Sequence, residues 1–169
     1  MTGYVVLVVL VGLERVAELV VSLRNARWSF AQGGVESGRG HYPFMVVLHT
    51  GLLAGCLVEA AHRPFVPWLG WTMFAVVLLS QGLRWWCITV LGRQWNTRVI
   101  VVPGLQLVAR GPYRWLRHPN YVAVVAEGIA LPLVHTAWIT AVVFTVLNIP
   151  LLAVRIRAEE AALNAALVK

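Results

Sequence analysis

The residues best suited to chemistry lie in one polar stretch, Gly92 to Tyr121, which reads GRQWNTRVIVVPGLQLVARGPYRWLRHPNY. Trp and Tyr side chains alternate there with arginines, and the pairs Pro103-Gly104 and Gly111-Pro112 predict tight turns. Connections in compact folds usually span about 4 to 6 residues, and much longer ones tend to be functional or disordered. The interleaved aromatic residues argue against disorder. We therefore expect this stretch to form an ordered, catalytic cap on one face of the protein.

A second charged group follows the last apolar block and reads RIRAEEAAL from Arg155 to Leu163. Arg155 begins it, at the predicted membrane interface. The planar guanidinium of an arginine can hold a carboxylate through two parallel hydrogen bonds. Taken alone, Arg155 and Arg157 are better explained as charges that set membrane topology.

These two groups together resemble a known family. The segment GPYRWLRHPNY, from Gly111 to Tyr121, resembles the G-x-Y-x-x-x-R-H-P-x-Y signature of the isoprenylcysteine carboxyl methyltransferase family and of its phospholipid methyltransferase relatives. RIRAEEAAL is similar to the pattern after that family's last span, namely Arg, three residues, Glu-Glu and a Leu. The motifs occur in the family's order, and the likeness covers about Trp85 to Leu163.

The resemblance implies an S-adenosylmethionine-dependent O-methyltransferase that releases S-adenosylhomocysteine. Its cofactor would lie between the polar loop and the C-terminal segment, and its acceptor would enter from the lipid. By position, the cofactor pocket would be lined by Leu105, Gln106, Leu107, Val108, Tyr113, His118, Pro119, Asn120, Tyr121 and Glu159. Arg155 would face the acceptor. The family's upstream polar cofactor contact does not align within Arg98–Val102 and stays unassigned.

The chemistry of these side chains agrees with that cofactor. Tyr113 and Tyr121 offer aromatic walls, and an aromatic face attracts the sulfonium cation. Glu159 suits the ammonium group of the cofactor, while His118 and the backbone amides near Pro119 suit its carboxylate. Methyl transfer is an in-line displacement, so alignment of the two reactants in a water-poor site should supply most of the acceleration.

The acceptor decides whether a base is required. A carboxylate, with a pKa of about 4, is already ionised at neutral pH, whereas a phenol, with a pKa of about 10, needs deprotonation. For a phenol, Glu160 and His118 are the first candidates for the base. We expect a membrane-embedded lipid acceptor, either an isoprenoid or polyketide with a carboxylate or phenolic hydroxyl, or a prenylcysteine-like carboxylate.

Two other functions stay open from the sequence. One is N-methylation of an amine headgroup, as in the phospholipid methyltransferase relatives, although Arg155 would then repel a cationic acceptor. The other is a small non-enzymatic transporter or structural membrane protein that uses Glu14, Glu18 and Arg84 as a polar path. That alternative gives no role to the Gly111–Tyr121 motif.

The elements that must position these residues are membrane helices. Hydrophobic residues make up 59% of the 169 and charged residues 12%, with a mean hydropathy of +0.74, whereas soluble domains carry about 25% charged residues. The apolar residues form blocks near the length that a bilayer core requires of a helix. We predict an all-α integral membrane protein with one domain, residues 1–169, whose last two helices form a hairpin. Its five predicted spans are Tyr4–Leu23, Phe44–Ala61, Trp68–Leu91, Tyr121–Leu133 and Ala137–Val154.

The basic residues predict the orientation. Outside the spans, all basic residues except Arg63 follow the first, third or fifth span and so lie on one face of the membrane. They are Arg24, Arg27, Arg39, Arg93, Arg98, Arg110, Arg114, Arg117, Arg155, Arg157 and Lys169. Arg63 lies on the opposite face. The positive-inside rule places both long loops and the C-terminus in the cytoplasm and the N-terminus outside. Topology thus explains the net charge of +7 without a nucleic-acid partner. The chain is rich in Arg, Val and Ala and contains no Asp, which resembles the amino-acid usage of GC-rich bacterial genomes. We therefore expect the membrane to be a bacterial inner membrane.

The remaining polar residues have structural interpretations. Glu14 and Glu18 lie one helical turn apart, so we expect them to pair with Arg84 across the helices. The Gly-rich stretch Ala31–Gly40 predicts a flexible loop without a catalytic role. Cys56 and Cys87, each inside an apolar block, predict small buried hydrophobic residues. The histidines lack HxxxH or HExxH spacing, so no metal site is expected.

Overall fold

The computed structural model describes residues 1–167, so Lys169, one of the predicted cytoplasmic basic residues, lies outside the described residues. The described chain forms five α-helices and a two-stranded antiparallel sheet. In chain order the elements are α1 (Thr2–Ala31), β1 (Val35–Ser37), α2 (Tyr42–Ala60), α3 (Pro67–Leu91), β2 (Val99–Val101), α4 (Pro119–Leu133) and α5 (Trp138–Leu167). The predicted helices are all present, and the small sheet is an addition that the sequence analysis did not foresee.

Among residues 1–167, three helical segments are long and apolar enough to cross a membrane. They are Arg39–Ala60, Pro67–Gln94 and Trp138–Ala166, and α4 is a shorter apolar helix. α1 has 30 residues but carries charged residues near its middle. Its apolar side chains are nevertheless largely exposed, as expected for a helix that faces lipid. That α1 and α4 also cross the bilayer stays a prediction.

The predicted hairpin of α4 and α5 is observed. Thr136 has a positive φ of 55° in the turn, and its hydroxyl donates to the Pro64 carbonyl oxygen at 2.6 Å. The first turn of α5 is capped from α2, because the Glu59 carboxylate accepts from the Thr140 amide at 2.8 Å and from the Ile139 amide at 3.1 Å. The capping bonds satisfy donors that a helix N-terminus leaves without partners.

The helices pack around a shared apolar core. A Cβ on Gly128 of α4 would overlap the ring of Phe144 on α5, so this glycine sets how closely the hairpin packs. Cys56 and Cys87 are fully buried, which confirms their interpretation as small hydrophobic residues. The core residues come from every helix and lie mainly at the end of the bundle opposite the polar loop; they include Tyr4, Val8, Val11, Leu52, Cys56, Ala60, Val77, Ala130, Leu131, Val134 and Phe144.

Charged side chains inside the helical bundle pair with one another. Arg84 of α3 donates to Glu127 of α4 at 2.6 Å and lies 3.6 Å from Glu18 of α1. Arg15 lies 3.0 Å from Glu18 and 3.4 Å from both Glu14 and Glu127. The predicted pairing of Glu18 with Arg84 is therefore confirmed. Glu14 instead pairs with Arg15 and accepts from the indole of Trp85, and the shortest contact of Arg84 is with Glu127.

The Gly-rich stretch is not simply a flexible loop. Val35, Glu36 and Ser37 pair with Val101, Ile100 and Val99 of β2, respectively. The Glu36 carboxylate lies 3.3 Å from the Arg98 guanidinium and 3.2 Å from that of Arg39. The prediction of flexibility was wrong for these residues, because a partner strand from the polar loop supplies their backbone hydrogen bonds.

Candidate functional site

A cavity of about 550 Å³ lies between the polar loop after α3, the start of α4 and the C-terminal half of α5. Its volume falls within the range of about 300–1,000 Å³ that is typical of small-molecule sites. Most of the predicted site residues line it, namely Leu105, Leu107, Val108, Tyr113, His118, Asn120, Tyr121, Arg155, Glu159 and Glu160. The structure thus brings together two motifs that are separated in sequence by the α4–α5 hairpin.

Two predicted cofactor residues lie beside the cavity lining. Gln106 is exposed on the loop, and its cofactor contact stays a prediction. Pro119 is fully buried as the first residue of α4. Proline suits that position because the first helical amide has no acceptor within the helix. Pro119 therefore fixes the start of α4 and, through it, the placement of the neighbouring His118 and Asn120.

A tight turn places Tyr113 in the wall of the cavity. Gly111 has a φ of 58°, and a Cβ there would lie 2.7 Å from the Val90 side chain of α3. A larger residue would thus be both strained and crowded. The turn leads into a short 3-10 helix, Gly111–Arg114, that carries Tyr113. Burial raises the pKa of the Tyr113 phenol above its usual range, so this wall is uncharged at neutral pH.

Hydrogen bonds join the two motifs through Tyr121. Its hydroxyl donates to the Glu159 carboxylate and accepts from Arg155 Nε at 2.8 Å. The Arg155 side chain is 5% exposed, and its guanidinium carbon lies 5.4 Å from the centre of the Tyr121 ring. The phenol therefore fixes the positions of one acidic and one basic group on α5.

His118 lies on the other face of the Tyr121 ring. The two rings stack with centroids 5.4 Å apart and an interplanar angle of 23°. His118 Nε2 is 3.4 Å from Glu160, and Nδ1 is 3.9 Å from Glu159. The histidine thus contacts both adjacent glutamates of the second motif.

Arg155 also contacts a helix that is apolar enough to cross a membrane. Its Nη1 atom lies 3.2 Å from the sulfur of Met45 on α2. Arg155 therefore stands at the junction between the polar cavity and the apolar helices.

The sequence analysis missed one wall of the cavity. It is formed by Ser29, Trp95, Asn96 and residues Arg98 to Val102, and further lining comes from Leu163 and Asn164. α1 holds this wall in place: Asn25 Nδ2 donates to the Trp95 carbonyl oxygen at 2.7 Å, and the Ser22 hydroxyl accepts from the Thr97 amide at 3.0 Å. The signal was present in the sequence, because Ser22, Asn25 and Ser29 fall on one face of an otherwise apolar helix.

Several polar atoms in the cavity lining are buried without a partner. Among residues 1–167, Trp95 Nε1, both polar atoms of the Asn96 amide and Asn120 Oδ1 make no hydrogen bond. Buried polar groups are almost always paired in folded proteins, and an exception often marks a site where water or a ligand binds. Within the same residues, no group of His, Cys, Asp or Glu is arranged to hold a metal ion. The donor set suits an organic ligand that carries both charged and neutral polar groups.

Comparison with known proteins identifies the family. The sequence model of the "Isoprenylcysteine carboxyl methyltransferase (ICMT) family" matches residues 72–165. The chain is also similar to YpbQ, an uncharacterized protein of Bacillus subtilis, with 39% identity over 166 residues that cover 96% of this chain and 98% of the relative. An uncharacterized protein of Haemophilus influenzae is 24% identical over 155 residues, covering 89% of this chain and 88% of that protein. The chain belongs to the isoprenylcysteine carboxyl methyltransferase family.

Proposed function

We propose that this protein is an S-adenosylmethionine-dependent O-methyltransferase that acts on a lipophilic acceptor drawn from the membrane. The observation that carries the proposal is the hydrogen-bonded chain Glu159–Tyr121–Arg155 inside a 550 Å³ cavity. It places a carboxylate, an aromatic wall and a guanidinium side by side, and it joins the two motifs of the family. Family membership independently favours methyl transfer.

The residues present fit the cofactor. Glu159 would hold its ammonium group, and His118 would hold its carboxylate at the N-terminus of α4, where the helix dipole favours an anion. Tyr113 and Tyr121 would supply neutral aromatic walls near the sulfonium. When bound, S-adenosylmethionine supplies a methyl group that an oxygen nucleophile can displace. The protein contributes by aligning the two reactants and by excluding water.

Arg155 favours an anionic acceptor. Its Nε atom donates to Tyr121 and its Nη1 atom lies 3.2 Å from the Met45 sulfur, which leaves the N–H groups of Nη2 for an acceptor oxygen. A cationic amine about 4 Å away would be repelled by about 4 kcal/mol at the effective dielectric constant of a protein surface. O-methylation is therefore favoured over N-methylation of a headgroup. For a phenolic acceptor, Glu160, whose side chain is 48% exposed beside His118, would take up the proton.

The distribution of basic residues supports a proposal for the placement in the membrane. We propose five crossings in a bacterial inner membrane, with the N-terminus outside and the cavity on the cytoplasmic side. The cofactor would then enter from water and the acceptor from lipid, past α2 and Arg155. The acceptor would be an isoprenoid or polyketide lipid with a carboxylate or phenolic hydroxyl, or a prenylcysteine-like carboxylate. The alternative of a transporter relied on Glu14, Glu18 and Arg84 as a polar path. Glu18 is instead paired with Arg15 and Arg84, which favours a structural role for these charges.

A transfer assay tests the proposal. Proteoliposomes that contain the purified chain are incubated with methyl-labelled S-adenosylmethionine and a bacterial lipid extract, and label is counted in the organic phase. We expect label to appear with the wild type, to be lost with Arg155→Gln, and to persist with Arg157→Gln, which alters an exposed arginine on the same helix. Absence of any label with the wild type would overturn the proposal.

Alkaline treatment of the labelled product then identifies the acceptor group. A methyl ester releases volatile label, whereas a phenol ether or a methylated amine retains it. Retained label that binds a cation exchanger would indicate N-methylation and would contradict the role given to Arg155. Neutral retained label would indicate a phenol ether.

A further inference from the structure

The segment from Arg110 to Arg117 packs on the exposed apolar side of α3. The Trp115 ring lies 6.1 Å from the Trp86 ring of α3 in an edge-to-face arrangement, and a Cβ on Gly111 would lie 3.2 Å from Trp86 Nε1. Trp86 is 45% exposed, and Leu79, two turns earlier on the same face of α3, is 73% exposed. The segment therefore lies at the end of a helix that can cross the membrane, on the side that faces lipid.

The outer surface of this segment is both apolar and basic. Trp115 is 69% exposed and Leu116 is 44% exposed. Arg110 and Arg114 are exposed beside them, and none of the ion pairs within residues 1–167 includes either arginine. An exposed tryptophan next to unpaired arginines is typical of surfaces that meet the headgroups of a membrane, where the ring enters the interface and the cations meet phosphate.

The charge of this surface selects the partner. The segment carries three arginines and no acidic residue. Anionic phospholipids attract basic segments that lie close to the membrane, and each arginine there contributes about 5-fold in affinity. A zwitterionic phospholipid offers the same phosphate without the net charge. A protein or a nucleic acid would need this surface turned away from the membrane, whereas Trp115 packs on the apolar side of α3.

The same segment carries part of the cavity wall. Tyr113 belongs to the 3-10 helix Gly111–Arg114 and lines the cavity, whereas the next residue, Arg114, is exposed. The turn is closed by a hydrogen bond from the Trp115 amide to the Pro112 carbonyl oxygen at 3.2 Å. Because a single closed turn moves as a unit, a lipid bound to Arg114 restrains Tyr113 as well.

We propose that Arg110, Arg114 and Trp115 form a docking site for the headgroup of an anionic phospholipid, and that a lipid bound there strengthens cofactor binding by fixing Tyr113. The second part rests on the proposed function. The Trp115 ring enters the interface, and the two guanidinium groups donate hydrogen bonds to the lipid phosphate. Restraining a wall of the cavity before the cofactor arrives lowers the entropic cost of binding. The affinity for the cofactor thus depends on the lipid composition of the membrane.

Native mass spectrometry of the purified chain tests the docking site without the cofactor. The chain in detergent is mixed with phosphatidylglycerol or with phosphatidylcholine of the same acyl length, and bound lipid is counted. We expect phosphatidylglycerol to bind at least about 5-fold more tightly. Arg110→Gln combined with Arg114→Gln should remove most of that preference, and the corresponding pair of lysine substitutions should keep it because the charges remain. The matched control, Arg24→Gln with Arg27→Gln, removes two exposed arginines near the C-terminal end of α1 and should also keep it.

Three results would overturn the docking site. They are equal binding of the two lipids to the wild type, an equal loss of preference in the two pairs of glutamine substitutions, and competition by soluble glycerol phosphate at the concentration of the lipid. The last result would indicate a phosphate site that does not need the membrane. Trp115→Ala removes the ring and keeps both charges, so it should weaken the binding of the two lipids by the same factor.

Calorimetry in nanodiscs tests the link to the cofactor. S-adenosylhomocysteine is titrated into the chain in discs of phosphatidylcholine alone or of phosphatidylcholine mixed with phosphatidylglycerol. We expect the wild type to bind about 5-fold more tightly in the mixed discs, which is the lower end of the usual coupling between two sites. The variant with Arg110→Gln and Arg114→Gln should bind equally in both.

The outcomes separate the inference from the proposed function. Equal wild-type affinity in the two kinds of disc would overturn the coupling and leave the proposed function intact. A wild type that binds S-adenosylhomocysteine in neither kind of disc would overturn the proposed function together with the coupling. The lipid preference, which is measured without the cofactor, would still decide the docking site.

Discussion

Replacing Arg84 by Met should strongly destabilise the helical bundle. Arg84 lies on α3, is 5% exposed, and contacts Glu127 of α4 at 2.6 Å and Glu18 of α1 at 3.6 Å. Its guanidinium therefore links three helices. Without it, the carboxylates of Glu14, Glu18 and Glu127 would share the single guanidinium of Arg15.

The expected magnitude follows from the burial of the pair. Removing one partner of a buried ion pair typically costs about 3–5 kcal/mol, because an uncompensated charge stays behind. For a chain of this size, each kcal/mol lowers the melting temperature by about 2–4 °C. Arg84→Met should thus melt about 6–20 °C below the wild type. The eight tryptophans allow unfolding in detergent to be followed by fluorescence.

Two further variants make the assay specific. Arg63→Met removes an arginine whose side chain is 39% exposed and which lies 3.2 Å from Glu59; its effect should stay below about 1 kcal/mol, as for other exposed pairs. The double change Arg84→Met with Glu127→Leu removes the pair together with the unpaired charge, and it should recover more than half of the loss. If Arg84→Met melts within 2 °C of the wild type, or the double variant melts below the single one, the reasoning is refuted.

Three more predictions concern the hairpin and the cavity wall. Glu59→Ala removes the cap of α5 and should cost about 1 kcal/mol of unfolding free energy; an unchanged melting temperature would contradict the cap. Gly128→Ala puts a methyl group against the Phe144 ring and should lower the free energy of unfolding by about 1–3 kcal/mol. Gly82→Ala is the control, because a Cβ at Gly82 meets no atom of the described chain within 4 Å. It should be neutral or stabilising. Because burial raises the pKa of Tyr113, its contribution to stability is present below about pH 10 and is lost at higher pH. Tyr113→Phe should therefore lose less stability at alkaline pH than the wild type. Equal losses in both proteins would contradict the assignment of this loss to the Tyr113 phenol.

The parts of the site that the sequence predicted are those encoded by local patterns. The lengths of the apolar blocks predict the helices, because backbone hydrogen bonds in the bilayer must be satisfied within each segment. A turn between the last two apolar blocks predicts the hairpin. The two motifs lie at the ends of that hairpin, so its geometry alone returns Tyr121 and Arg155 to one place.

The rest depends on contacts between residues far apart in sequence. Strands of three residues are too short for an alternating pattern to be recognised, and β1 pairs with β2 more than 60 residues away. The contact of Met45 with Arg155 likewise joins two helices without any local signal. The position of Asn96 in the cavity wall is set by Asn25 of α1, and only the assembled fold shows it.

Binding of S-adenosylhomocysteine to the purified chain tests the central claim most directly. We expect the wild type to bind with a dissociation constant of about 1 μM or lower, corresponding to about 8 kcal/mol. Glu159→Gln and His118→Ala should each weaken binding at least about 10-fold, since each removes a charged or polar partner of the cofactor's amino-acid end. Arg157→Gln, on an exposed face of α5, should bind like the wild type. No binding to a folded wild type, or wild-type affinity in Glu159→Gln and His118→Ala, would contradict a cofactor site in this cavity.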